Sequence, residues 1–303
     1  MRGHHLMPGD VVSGSGSLKT YGSSMDTIAD PWAPEFVRSH LRVVLRGLLL
    51  ATVRVKIRQG GVHYYTAIAK GCLATLSRRE PVDPKEFLSR ELWAEYDGQE
   101  YLLTRETVFA YFLHVFEPQT ADILRSLHGD LFIDVGANVG QYAIPLSRNF
   151  RKVVAIEPNP ISYRILEANI ARNKLSNIEV VHSAVTAHKG SVWLMPGSHL
   201  TTWAVKDDGP PGSEVPSVTL DEVLLNFPQV DLMKVDIEGR ELEVLLSSKL
   251  LPRVKHISFA CEPRYYPLIL PSLRQSGFSI FVPPSRLGLA ENVNATSREE
   301  VRT

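Results

Sequence analysis

The chain has 303 residues, 44% hydrophobic and 22% charged, the make-up of a folded globular protein with room for one large domain plus an appendage, or for two small domains. Its 33 basic and 33 acidic residues cancel, which argues against a wholesale coat for nucleic acid and against an acidic solvating tail. The two cysteines, Cys72 and Cys261, lie far apart without metal-ligand spacing, so neither a disulfide framework nor a zinc site is expected and a reducing, cytoplasmic setting fits.

The neutral total hides a local field. Residues 36–79 hold nine Lys or Arg and no Asp or Glu, whereas residues 80–303 hold 22 basic against 29 acidic side chains. Residues 1–30 are rich in Gly and Ser, show no hydrophobic period and read as a flexible leader. Residues 31–106 form a basic helical segment followed by a hairpin. Within it, 35–58 reads as an amphipathic basic helix, with Leu41, Val44, Leu45, Leu48, Leu49 and Thr52 on one face and Arg38, Arg42 and Arg46 along another. Arg42, Arg46 and Arg54 interrupt its most apolar stretch, so it is too short and too charged to span a bilayer, and no cleavable signal is evident. Residues 92–104 flank Asp97-Gly98 with aromatic and apolar residues, a strong hairpin signal. A helical pattern over 108–127 is broken at Pro118.

Beyond Asp130 short β-rich runs alternate with helical ones. Strands are expected at 131–135, 153–157, 178–183, 230–236, 255–262 and 278–282, and helices at 141–148, 160–174, 220–226, 238–249 and 266–276. The alternation implies an α/β domain over 107–285, a mainly parallel sheet with helices on both faces, whose ligands bind outside the carboxyl ends of the strands. Residues 196–218, rich in Gly and Pro, read as an irregular insertion over that edge, and 286–303 as a C-terminal tail. The sequon Asn294-Ala295-Thr296 is taken as a chance match.

Three motifs fall at strand ends. In Asp134-Val135-Gly136-Ala137-Asn138-Val139-Gly140, Gly136 and Gly140 let the backbone approach a ligand closely. Asp134 would repel a pyrophosphate and attract a cation, unlike the Gly-x-Gly-x-x-Gly of a dinucleotide site. Glu157, 23 positions on, ends the next strand, where a carboxylate accepts hydrogen bonds from ribose hydroxyls; alone it also fits a solvated strand-end charge. In Lys234-Val235-Asp236-Ile237-Glu238-Gly239, the charged residues alternate and would point to one side of a continuous strand, with Gly239 permitting the turn. Burying them costs several kcal/mol, roughly the penalty for charges out of water, unless they are paired or functional. The bland alternative is a Lys234–carboxylate pair at a helix start, with Glu241 in the first turn.

Together, the Asp134–Gly140 run, Glu157-Pro158 and above all Lys234-x-Asp236-x-Glu238-Gly239-x-Glu241 resemble the FkbM family of class I S-adenosylmethionine-dependent methyltransferases, over roughly residues 116–282. The resemblance implies a Rossmann-like fold, S-adenosylmethionine as methyl donor and usually a hydroxyl acceptor. It would place Asp134, Gly136, Asn138 and Gly140 around the donor's methionine moiety, Glu157 on the ribose, and Ser183 and Ala184 beside the adenine. Asp236 and Glu238 would face donor and acceptor.

Methyl transfer to an alcohol needs orientation and a base within about 3 Å of the oxygen. Glu238 is preferred over Asp236 as the base because it lies nearer the open edge, and Lys234 would hold one carboxylate ionised. His182, His199 and His256 are weaker alternatives. Asp236 and Glu262 supply only two carboxylates for a magnesium ion, so no metal is assigned. Trp203, Tyr142 and Phe116 are candidates for cation–π contact, with core or loop packing the simpler reading, and Thr201 and Thr202 are placed near the cleft by position alone. The acceptor is expected to be a sugar, glycan or other small molecule. A nucleic-acid acceptor such as tRNA and a non-catalytic nucleoside-binding module are the alternatives. Residues 36–79 are open to three roles: an anionic surface such as a membrane leaflet, RNA, or, the reading favoured, packing on the catalytic domain or on a second subunit.

Overall fold

The computed structural model describes residues 56–57, 66, 69–71, 73–74, 77, 91–104, 118–196, 203–207, 209, 214–261, 263–282 and 292–297. The leader, most of the basic segment, Phe116, His199, Thr201, Thr202 and Glu262 lie outside them. Of the helix expected over 35–58, only β1 (Lys56–Ile57) is described, and it is a strand. Lys56 and Ile57 pair with Glu95 and Ala94, a cross-strand pairing that overrides the helical period read along the chain there. β1 pairs with β2 (Leu92–Tyr96), which turns back into β3 (Gln99–Leu103) as expected, with Asp97 and Gly98 at φ 53° and 77°.

The α/β domain follows in chain order: α1 (Pro118–Ser126), β4 (Gly129–Val135), the short α2 (Ala143–Leu146), β5 (Phe150–Ile156), α3 (Pro160–Arg172) and β6 (Ile178–Val181). Then come β7 (Ala184–Thr186), β8 (Gly190–Pro196), β9 (Trp203–Lys206), β10 (Glu214–Thr219), α4 (Leu220–Leu225), β11 (Val230–Val235), α5 (Glu241–Ser247), β12 (Val254–Ala260), α6 (Tyr266–Gln275), β13 (Phe278–Phe281) and β14 (Asn292–Ser297). Local chemistry starts the helices: Asn159 Oδ1 accepts the amides of Ile161 and Ser162 ahead of Pro160, and Thr219 and Glu222 form a capping box.

The central sheet has the order β13-β14-β12-β11-β4-β5-β6 and is parallel except for β14, which runs antiparallel between β12 and β13. This is the expected Rossmann-like class I arrangement. Side chains alternate across it: Phe132, Val153, Ala155 and Leu232 pack on one face, and Ile133, Val135, Val154, Met233 and Ile257 on the other.

Two expectations are corrected. Residues 292–297, placed in the tail, form a strand inside the sheet, and the sequon residue Asn294 is buried there. The described parts of the insertion are not irregular: β9 and β10 join β7 and β8 in a second sheet of order β7-β10-β8-β9. The hairpin shares a core with the α/β domain, since Leu92, Tyr101 and Leu103 cluster with Phe132 and Leu166. Asn169 of α3 and Asn173 at its C-terminal end accept the amides of Leu102 and Glu100 along β3, at 2.7 and 2.8 Å. Among the described residues no helix is long and apolar enough to cross a membrane.

Candidate active site

The order of strands reverses between β4 and β11, where an open α/β sheet leaves a crevice at its carboxyl edge. A cleft of about 830 Å³, including its open mouth, occupies that place. Asp134, Gly136, Asn138, Glu157, Ser183, Ala184, Lys234, Asp236 and Glu238 all line it, so the structure brings together nearly every residue singled out in the sequence. Gly140 does not: at φ 92° it packs where an added Cβ would press on Ile144 and Leu166, which makes it a helix-packing residue.

Gly136 fixes the floor. Its φ is 82°, its amide donates to Ile156 O at 2.9 Å, and a Cβ there would overlap the Asp236 carbonyl. The ends of β4 and β11 can approach this closely only with glycine between them. Asp134, the penultimate residue of β4, is 1% exposed. Its Oδ2 accepts the Ala143 amide at 3.0 Å, and its buried Oδ1 has no protein partner. Burial raises its pKa to about 6 against the opposing pull of Lys234.

Glu157 follows β5 instead of ending it. Its two oxygens accept the amides of Asn138 (2.7 Å) and Asn159 (2.8 Å), joining the loops after β4 and β5. Burial pushes its pKa up to about 7 despite those bonds. Ser183 and Ala184 sit at the turn from β6 into β7, and the Ser183 hydroxyl donates to Pro216 O at 3.0 Å, anchoring β10 to the cleft wall.

β11 stops at Val235, so Asp236 and Glu238 lie on a loop rather than on a continuous strand, and the expected helix start at 238 moves to 241. Glu238 has φ 57° and Gly239 φ 103°, a left-handed pair that no helix accommodates. A positive φ at a non-glycine residue costs on the order of 1–3 kcal/mol and persists where its surroundings hold it. Glu241 does the holding: its carboxylate accepts the amides of Ile237 (2.8 Å) and Gly239 (3.0 Å) from the first turn of α5. Burial raises Glu241 to about 7, with Asp236 adding to the rise. Glu238 is pushed up to about 8 by burial, then by Asp236 and Glu241.

Lys234 is 2% exposed, donates to Asp236 Oδ2 at 2.7 Å and lies 4.6 Å over the Tyr142 ring. The pairing read from the sequence therefore exists. Tyr142, weighed there as a partner for a ligand cation, faces the chain's own ammonium. The described histidines are elsewhere: His182 stacks on Tyr163 with Nε2 3.0 Å from Pro158 O, and His256 Nδ1 lies 3.0 Å from Thr296 Oγ1; neither lines the cleft. Sequence reading missed Arg240, which lines the cleft and pairs with Asp207 beyond β9 at 2.9 Å. Its signal was the arginine inside the Glu238-Gly239-x-Glu241 spacing.

A Rossmann-like sheet with a carboxylate-lined cleft at its switch point is the architecture of a class I methyltransferase. Residues 134–278 match the Methyltransferase FkbM domain. It is 27% identical to methyltransferase sdnD of Sordaria araneosa over 177 residues, 46% of this chain and 68% of sdnD. It is 28% identical to the hexuronic acid methyltransferase AglP of Haloferax volcanii over 131 residues, 41% of this chain and 54% of AglP. Stretches of 52 to 106 residues are similar to ribosomal RNA and tRNA/tmRNA methyltransferases. The solved FkbM methyltransferase of Methylobacillus flagellatus aligns with a TM-score of 0.43 and 14% identity, over 88% of this chain and 61% of that one. The strand order, rather than that likeness, defines the fold.

Proposed function

We propose that this chain transfers a methyl group from S-adenosylmethionine to a hydroxyl oxygen of a sugar, glycan or other small molecule. The observation that carries the reading is the gathering of Asp134, Glu157, Asp236 and Glu238 around one cleft, a lining that favours a cation and ribose hydroxyls over a pyrophosphate.

The residues present fit this donor. The buried Asp134 Oδ1, without a protein partner, offers an acceptor to an ammonium group. Each Glu157 oxygen holds one backbone amide and keeps a lone pair for a ribose hydroxyl. Gly136 and Asn138 would flank the methionine moiety, and Ser183 and Ala184 the adenine. When bound, S-adenosylmethionine supplies a methyl group on a positively charged sulfur.

The chain's own contribution is orientation, exclusion of water and proton acceptance. Val135, Ile156, Val185 and Val205 give the cleft apolar walls. Glu238 takes the acceptor's proton: its raised pKa brings it near the operating pH, where a general base works best. Asp236 is committed to Lys234 and positions the loop instead.

A carbohydrate acceptor is supported by the AglP likeness, which extends over more of this chain than the matches to RNA methyltransferases. The test is mass spectrometry of cell extracts incubated with the protein and isotope-labelled donor. Label on a hydroxyl of a glycan or small molecule is expected, and label in RNA would overturn the assignment.

A further inference from the structure

Arg240 is the feature of the cleft that this chemistry leaves unused. Among the described residues two cationic side chains line the cleft, and Lys234, buried and bonded to Asp236, is engaged. Arg240 projects from the same loop as Glu238, two residues on, with its side chain 19% exposed. Its Nη2 donates to Asp207 Oδ1 at 2.9 Å, while Nη1 lies 3.8 Å from Glu243 in the next turn. Asp207 is 84% exposed and follows β9, the strand whose Val205 reaches the cleft.

An exposed carboxylate on a guanidinium contributes about 0–1 kcal/mol, too little to hold it against a better-placed anion. An arginine that lines the cleft and whose partner side chain is 84% exposed can exchange that partner for an anion carried by a ligand. The guanidinium presents paired N–H donors that match a carboxylate, the group Asp207 already offers.

We propose that Arg240 is the acceptor-recognition residue, and that the acceptor is a hydroxy acid of the uronic type. Its carboxylate displaces Asp207 from Arg240 and so brings a hydroxyl to Glu238. This rests on the methyl-transfer reading and names the substrate class of that site.

The test is calorimetric titration of the intact chain with S-adenosylhomocysteine, then of the loaded protein with D-glucuronate, D-glucose and D-glucose 6-phosphate. Glucuronate is expected to bind in preference to glucose. Arg240→Gln should weaken glucuronate about 10- to 100-fold, the range for a hydrogen bond to a charged group, with S-adenosylhomocysteine binding retained. Asp207→Asn, which removes the competitor and leaves the arginine, should tighten it several-fold. Failure of glucuronate to bind both the wild type and Asp207→Asn, or equal binding by Arg240→Gln, overturns the proposal, and preference for the phosphate overturns its carboxylate class. Absence of S-adenosylhomocysteine binding strikes the underlying reading instead.

Discussion

The ammonium of Lys234 lies 2.7 Å from Asp236 Oδ2 and 4.6 Å above the Tyr142 ring, so a buried cation is held between a carboxylate and an aromatic face at the base of the cleft. Lys234→Met would keep the stem and remove the charge. Because the Asp236 side chain is 30% exposed and can recover some hydration, the expected loss is about 1–3 kcal/mol, the cost of stranding one partner of a charged hydrogen bond. Urea denaturation of the two proteins measures it; an unchanged midpoint would show that the pair contributes nothing.

Glu238→Gln removes the proposed base and keeps the shape. Turnover should fall about 10²- to 10⁴-fold, with donor affinity within a few-fold of wild type. The base must be ionised to act, so wild-type kcat/KM should rise with pH and level off above about 8, where burial and the neighbouring carboxylates place Glu238. Near-normal turnover by the variant with intact donor binding would exclude this residue as the base.

Gly136→Ala tests the floor of the cleft. At φ 82°, with the Asp236 carbonyl in the position of a Cβ, alanine forces β4 and β11 apart. Overpacking alone costs about 1–3 kcal/mol, and donor binding should weaken with it. A variant as stable as the wild type would mean that the strand ends can separate freely.

Stability should fall with rising pH across the mildly acidic range. Asp134, Glu157 and Glu241 ionise near 6, 7 and 7 in the folded chain, against 3.8, 4.5 and 4.5 without the fold, so the folded state keeps their protons to higher pH. Their contribution is fully present below about 4 and is lost as pH rises through 6 and 7. Urea midpoints taken from pH 5 to 8 should decline, and decline less in Glu157→Gln. A rise over that interval would contradict the burial assigned to these groups.

The sheet and most of its cleft were legible because apolar runs and chemistry coincide there: Asp134, Glu157 and Lys234 each close a buried strand or follow it directly. β14 was not legible, since its buried apolar residues are only Val293 and Ala295, with the polar Asn294 buried between them. The second sheet was hidden by Gly197, Gly209, Pro210, Pro211, Gly212 and Pro216, which read as loop; Pro216 is tolerated in β10 between the buried Val215 and Ser217 because it faces outward. The left-handed backbone at Glu238 escaped notice as well. Alternation of Lys234, Asp236 and Glu238 mimics a strand, and only the amide bonds from Ile237 and Gly239 to Glu241 reveal the loop.

The central claim is that the carboxylate-lined cleft holds S-adenosylmethionine, and calorimetric titration with that donor tests it most directly. One site per chain is predicted, weakened about tenfold or more in Asp134→Asn and in Glu157→Gln through loss of charge-assisted hydrogen bonds. Absence of binding to the wild-type chain, or equal affinity in both variants, would contradict it.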